Sequence, residues 1–406
     1  MRMDKEFAPD KEALRHAIDL LGEQYSSGEP GLLPSTFSDH GIGSRAVLDL
    51  LAPLVLGGAA RLDAPTSFAH MDPPTPWVTW ATTLWNASLN QNLLHPATSP
   101  TARLIEEQVV HWLAPFFGMA GGHMTPGSTL ANLTALWAAR ECAAVKEVIA
   151  AGSAHMSVGK AAHLLGLRFR TLPTDSKGAM LAGAVPEDMA LTALVLTAGS
   201  TSTGSVDPLS LAGKAAWTHV DAAWAGPLRI SQHSDVLDGI EDADSVSVSA
   251  HKWLFQPKES ALIFFKDPIK ANEAISFDGP YLSKPNVGIL GSHSAMAVPL
   301  MATLLAWGRS GLATRIGHCM DLSARFSDFV RSHQRLSLFA EPETGIVVWR
   351  PRDTACFDQV FQRLPQGSTS MTTLNGERWF RNVAANPNVD LERFIAGVLK
   401  AFDALP

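Results

Sequence analysis

Trp217-Thr-His-Val-Asp221-Ala-Ala223-Trp224 is an apolar run that ends in a carboxylate, and 31 residues beyond Asp221 a second run, opening at Ser245-Val-Ser-Val, ends in Ser249-Ala-His251-Lys252-Trp253. Both have the length and alternation of strands. As members of one sheet they bring Asp221 and Lys252 to its carboxyl edge, where open α/β sheets receive their ligands. Working outward, the short apolar runs at Val148-Ile-Ala, Arg168-Phe-Arg-Thr-Leu, Leu191-Thr-Ala-Leu-Val-Leu and Ala261-Leu-Ile-Phe-Phe alternate with helical stretches. That alternation predicts an α/β fold built on a large, mostly parallel sheet.

Upstream, residues 10–118 show helical segments separated by prolines, with Leu104, Ile105, Val109, Trp112, Leu113 and Phe116 at helical spacing. Gly127-Ser128-Thr129 then precedes the helix-forming run Leu130 to Val148. Downstream, a long helical stretch follows Pro285 to Ser292 and reaches about residue 331, and Asn375-Gly376 marks a hairpin between two extended runs. The expected organisation is a helical N-terminal region over 1–67, a large α/β domain over 68–290 and a small C-terminal α/β domain over 291–406.

Composition narrows the function. Of 406 residues 46% are hydrophobic and only 17% charged, which indicates that much of the surface is buried, extensive subunit contact being one way to do that. The net charge of -7 carries no long run of one sign, so a small-molecule partner is expected and no nucleic acid. Cys142, Cys319 and Cys356 are too few and too scattered for a disulfide framework. The charged N-terminus leads into no apolar signal region and Leu50 to Ala60 is too short to span a bilayer, so the expectation is a soluble, cytoplasmic protein with no membrane partner. Gly41-Ile-Gly-Ser-Arg-Ala46 fits a loose dinucleotide fingerprint but follows no strand, and reads as a glycine turn before a helix. His219 and Asp221 have no further ligand at a recognised metal spacing, so no metal is expected.

Lys252 and Asp221 together suggest pyridoxal 5'-phosphate. A lysine amine forms the Schiff base, and a carboxylate against the pyridine nitrogen keeps it protonated, so that the ring accepts electrons from a substrate carbanion. The phosphate needs N–H donors at a helix N-terminus, which Gly127, Ser128 and Thr129 offer.

These residues resemble the group II pyridoxal-phosphate-dependent amino acid decarboxylases, which include the aromatic amino acid, glutamate and histidine decarboxylases. The resemblance runs from about residue 68 to 385. It is carried by His219-Val-Asp-Ala-Ala223, Ala243-Asp-Ser245, His251-Lys252-Trp253, Gly127 to Arg140, Ser153 to Ala162 and Thr197 to Asp207. It implies fold type I and an L-amino acid α-decarboxylase acting through a Lys252 aldimine and a quinonoid intermediate, as a homodimer with the site at the subunit interface. Lys252 would be the Schiff-base lysine, Asp221 the pyridinium partner and His155 the imidazole stacked on the ring. Thr201, Ala223 and His251 would be further cofactor contacts, and Ser245 would join the 127–129 loop around the phosphate.

For the reaction, the resemblance makes Tyr281 the proton donor to the carbanionic carbon, favouring amine over the aldehyde of oxidative deamination. Transamination and carbon–carbon lysis are the other carbanion reactions of the scaffold. Arg381 resembles a small-domain arginine that takes the substrate carboxylate, and His70 and Met71 lie in the segment that builds the side-chain pocket. The chain departs from the family in having no arginine after Gly291, in Ser249 where some relatives have asparagine, and in being shorter. Between Arg61 and Arg103 there is no lysine or arginine, while Trp77, Trp80, Trp85, Asn90, Gln91 and Asn92 supply aromatic and neutral polar groups. Neutral or aromatic amino acids are therefore expected to be preferred over glutamate and aspartate.

Overall fold

The computed structural model describes residues 7–23, 25, 36–280, 282 and 284–403. It falls into two compact units, residues 1–61 and 62–406. In the first, α1 (Lys11–Leu21) starts at Asp10, whose side chain accepts the backbone N–H groups of Glu12 and Ala13, and α2 (Ser44–Gly58) follows the turn at Gly43. His16 Nε2 and Asp49 Oδ1, 2.6 Å apart, join the two helices.

The second unit opens with α3 (Trp77–Leu89) and α4 (Pro100–Leu113). Then come β1 (Gly121–Thr125), α5 (Ser128–Ala143), β2 (Glu147–Ala151), α6 (Met156–Leu164), β3 (Arg168–Leu172), β4 (Thr192–Thr197), β5 (Trp217–Asp221), β6 (Ser245–Val248) and β7 (Ala261–Phe265). These strands form one seven-stranded sheet in the order β1-β7-β6-β5-β4-β2-β3. Strands β2 to β6 pair in parallel, and β7 runs antiparallel to both β6 and β1. The expected α/β class and mostly parallel sheet are thus what the structure shows. β2, β4, β5, β6 and β7 are buried along their whole length, as strands covered on both faces must be, and this made their continuous apolar runs legible. β1 had no such signal. A Cβ on Gly122 would lie 1.9 Å from the carbonyl oxygen of Ile263, so the close approach of β7 demands glycine where a strand would otherwise show an apolar residue.

Next come α7 (Pro268–Ala274), the short antiparallel pair β8 (Ser276–Phe277) and β9 (Asn286–Val287), and α8 (Ala297–Ser332), which bends at Gly308. The C-terminal part contains β10 (Leu336–Leu338), β11 (Ile346–Pro351), α9 (Phe357–Arg363), β12 (Ser370–Leu374), β13 (Glu377–Val383) and α10 (Leu391–Asp403). Its strands form a second sheet in the order β10-β11-β13-β12. The hairpin at Asn375-Gly376 joins β12 to β13 with φ of +51° and +78°, the twist that a two-residue turn between antiparallel strands requires.

Residues 62–406 form one compact unit. The cause is visible in the packing. Val383 N–H donates to Phe68 O at 2.8 Å, Trp253 Nε1 to Ala384 O at 2.9 Å and Trp224 Nε1 to Thr344 O at 2.7 Å. Phe68 also packs edge-on against Phe326 and Phe394, so one apolar core runs between the two sheets.

The tryptophans of α3 occupy neither a core nor a side-chain pocket of this chain. Trp77, Trp80 and Trp85 are exposed, and the buried face of the helix is made by Thr79 and Thr82, whose hydroxyls bond back to Pro76 O and Val78 O. Asn92 is committed to a turn, with Oδ1 accepting from Leu94 N–H and Nδ2 donating to Ser292 Oγ.

Candidate active site

Lys252 follows β6 in a turn closed by Lys252 N–H to Ser249 O at 3.2 Å, and the neighbouring His251 N–H reaches Ser260 O at 3.0 Å. Asp221 ends β5, His155 precedes α6, and Gly127 stands at the N-terminus of α5. These chain segments meet in a cavity of about 220 Å³ lined by Gly127, Ser128, Thr129, His155, Thr197, Thr201, Asp221, Ala223, Trp224, His251 and Lys252. Nine residues proposed from sequence for the cofactor are therefore brought together. Trp224, which lines the cavity, packs on Trp253 with ring centroids 4.1 Å apart.

The electrostatics are those of a dry site. Burial lowers the Lys252 ammonium below the ordinary lysine range, against the attraction of Asp221 and Asp72. Burial likewise lowers His155, opposed by Asp221, and takes His251 down to about 4. Asp221 Oδ1 accepts from Ala223 N–H at 3.1 Å and Oδ2 from Asn132 Nδ2 at 2.8 Å. No side chain caps α5, so the N–H groups of its first turn face the cavity as an anion site.

Ser245 does not line that cavity. It opens β6 opposite His219, while Asp221 pairs with Ser247, so Ser245 lies below the sheet edge. Its hydroxyl is occupied by Trp217 Nε1 and His219 Nδ1, both at 2.9 Å. Tyr281 falls outside the described residues.

Arg381 lies in β13, its guanidinium near enough to Lys252 to depress it further. Burial takes Arg381 down to about 10, partly opposed by Asp72. Its Nη1 donates to Ser370 Oγ at 3.2 Å and Ala69 O at 3.4 Å, and its Nε has no partner among the described residues. His70 is exposed and Met71 belongs to the core cluster; neither lines the cavity. Their neighbour Asp72, not singled out from sequence, forms an ion pair with Lys258. Burial raises the Asp72 carboxyl, but the Lys258 contact outweighs it and leaves Asp72 below the usual carboxylate range. Asn132 was also missed, because an amide in a helix-forming run reads as an ordinary surface residue.

Pyridoxal phosphate can be tested against this cavity. Thr197 Oγ1 and His251 Nδ1 are buried there without a hydrogen-bond partner among the described residues, as expected where a polar ligand completes the set. A buried lysine, a carboxylate and an uncapped helix N-terminus match the cofactor's aldehyde, ring nitrogen and phosphate in chemical type, so the residues fit it. The class defined by fold and site is an α/β enzyme of fold type I that works with pyridoxal phosphate.

Residues 30–352 match the pyridoxal-dependent decarboxylase conserved domain, and the chain belongs to that family. It is 29% identical over 391 residues to an L-2,4-diaminobutyrate decarboxylase of Rhizobium meliloti (strain 1021), covering 84% of this chain and 78% of that protein. It is 27% identical to the aromatic-L-amino-acid decarboxylase of Bos taurus, over 84% of this chain and 82% of the relative. The fold is shared with tryptophan decarboxylase of Catharanthus roseus in complex with L-tryptophan, with a TM-score of 0.86, 21% identity and coverage of 100% of this chain and 99% of that one. The protein is thus a carboxy-lyase of the amino acid decarboxylase type, with pyridoxal phosphate as its cofactor.

Proposed function

We propose that the chain removes the α-carboxyl group of an L-amino acid and releases the amine, using Lys252, Asp221 and His155 around the cofactor and Arg381 for the substrate carboxylate. The observation that carries this reading is the meeting of a buried lysine, a strand-end carboxylate and an uncapped helix N-terminus in one cavity. Pyridoxal phosphate, when bound, supplies an aldehyde for amine exchange and a ring that accepts the electron pair left by carbon dioxide.

The chain's own residues do the rest. Lys252, its ammonium destabilised by burial, gives up a proton more readily and so presents a nucleophilic amine. Asp221 holds a proton on the ring nitrogen. When the cofactor is bound, His155 would lie against its ring and Gly127, Ser128 and Thr129 would hold its phosphate, with Thr201, Ala223 and His251 as further contacts. Arg381, a buried cation with no carboxylate within 4 Å among the described residues, receives the substrate carboxylate. Tyr281 returns a proton to the α-carbon, an assignment that rests on its place in the sequence alone.

We assign the side-chain preference to neutral or aromatic amino acids, because the segment between Arg61 and Arg103 offers no lysine or arginine to a distal carboxylate. A homodimer is supported by the exposed apolar face of α3, with Trp77, Trp80, Trp85 and Leu89 outward. A panel of amino acids scored for amine and aldehyde tests the reading. A kcat/KM for glutamate or aspartate above that for every aromatic substrate would overturn the preference, and aldehyde as the main product would overturn amine release.

A further inference from the structure

Asn132 lies in the second turn of α5, is fully buried, and uses every hydrogen-bonding position of its amide. Its Nδ2 donates to Asp221 Oδ2 at 2.8 Å and to Ser157 Oγ at 2.9 Å. Its Oδ1 accepts from Ser247 Oγ at 2.7 Å and from His219 Nε2 at 3.0 Å. Turning the amide over would set its oxygen against a carboxylate oxygen, acceptor to acceptor, so the orientation is determined by its surroundings.

That orientation fixes the protons of two arms. His219 is wholly buried, which pushes it down to about 4, so at neutral pH it carries one ring proton. Because Asn132 Oδ1 can only accept, that proton is on Nε2. His219 Nδ1 is then the acceptor for the Ser245 hydroxyl, which itself accepts from Trp217 Nε1. On the other arm Ser157 Oγ accepts from Asn132 and donates its own O–H to His155 Nδ1 at 2.8 Å, beside Ser157 N–H at 3.2 Å to the same nitrogen. Neutral His155 consequently carries its proton on Nε2.

We propose that Asn132 is a positioning residue that couples the two groups flanking the cofactor ring: it offers Asp221 a donor and no acceptor, which fixes the carboxylate as the proton-holding partner of the ring nitrogen, and it orients the Ser157 hydroxyl, which joins the Ser157 N–H in holding His155 in one tautomer. This rests on the assignment of Asp221 as that partner.

Two substitutions separate positioning from space filling. Asn132→Asp keeps the shape and still accepts from His219 and Ser247, but puts a second carboxyl against Asp221, and two such groups cannot both ionise. Asn132→Ala removes the contact and opens a small cavity. Space filling alone makes alanine the worse change. Positioning makes aspartate the worse change for the cofactor.

Apoprotein of each variant, checked for folding by circular dichroism, is titrated with pyridoxal phosphate, and the visible absorbance of the bound cofactor is followed against pH. The expected result is a Kd raised about tenfold or more in Asn132→Asp, as for a change of one unit in proton affinity, with a displaced pH profile and a smaller loss in Asn132→Ala. A Kd within twofold of wild type with an unchanged pH profile in Asn132→Asp, or weaker binding in Asn132→Ala than in Asn132→Asp, overturns the proposal. If Asn132→Asp does not fold, Asn132→Leu replaces it, and wild-type binding and pH profile there overturn the proposal equally. Asp221→Ala is the control: wild-type binding in that variant removes the Asp221 assignment itself, whereas weakened binding there with wild-type behaviour in Asn132→Asp removes only the role of Asn132.

Discussion

Asp207 ties the end of β4 to the loop that lines the cofactor cavity, and replacing it by alanine has a calculable effect. The side chain is 2% exposed and accepts from Met180 N–H at 2.6 Å and Thr197 N–H at 2.7 Å. Losing both acceptors leaves two buried donors unpaired, at about 1–3 kcal/mol each. Against that, burial raises the Asp207 carboxyl from 3.8 to about 6, so holding it ionised at pH 7 costs about 3 kcal/mol that alanine does not incur. The net loss for Asp207→Ala at pH 7 is then at most about 3 kcal/mol. The pH dependence is the sharper test. A carboxyl raised on folding contributes stability that is fully present below pH 3.8 and is lost as pH rises through about 6. The wild type therefore gains on the variant as pH falls, by about 1.3 kcal/mol between pH 7 and pH 5. Urea unfolding of both proteins at the two pH values, followed by tryptophan fluorescence, measures the gap. A gap that narrows on acidification would refute the reasoning, because it would mean an Asp207 carboxyl lowered rather than raised by folding.

Other consequences are as direct. His123 and His219, wholly buried and each taken from 6.5 to about 4, contribute stability present above pH 6.5 and lost as pH falls towards 4; His123→Gln should flatten the fall in Tm over that window, and an unchanged slope would contradict it. Lys252→Ala should carry no borohydride-stable cofactor label, while Asp221→Asn should keep some bound cofactor and lose most turnover; label retained without Lys252 would remove its assignment. Tyr281→Phe should lower amine formation roughly 100-fold and divert flux to aldehyde, and unchanged amine formation would assign the proton to another group.

What could be seen in the sequence followed from burial and from strand ends. The inner strands announced themselves as continuous apolar runs, and Asp221 and Lys252 stood out because each closes or follows such a run. β1 stayed hidden because contact with β7 requires glycine there. Ser245 lies two residues below the level of Asp221, a distance that only the pairing of β5 with β6 supplies. Asn132 was invisible for a related reason: its four partners come from α6, β5 and β6, and no spacing along α5 encodes them. The tryptophans of α3 have the spacing of a core helix, yet the threonines between them make the buried face.

Carboxyl-labelled amino acids test the central claim most directly. With the purified holoenzyme and its best substrate, the account predicts one labelled carbon dioxide released for each amine formed. Substrate consumed with the label retained in a keto acid, and no carbon dioxide evolved, would contradict α-decarboxylation and identify another carbanion reaction at the same lysine.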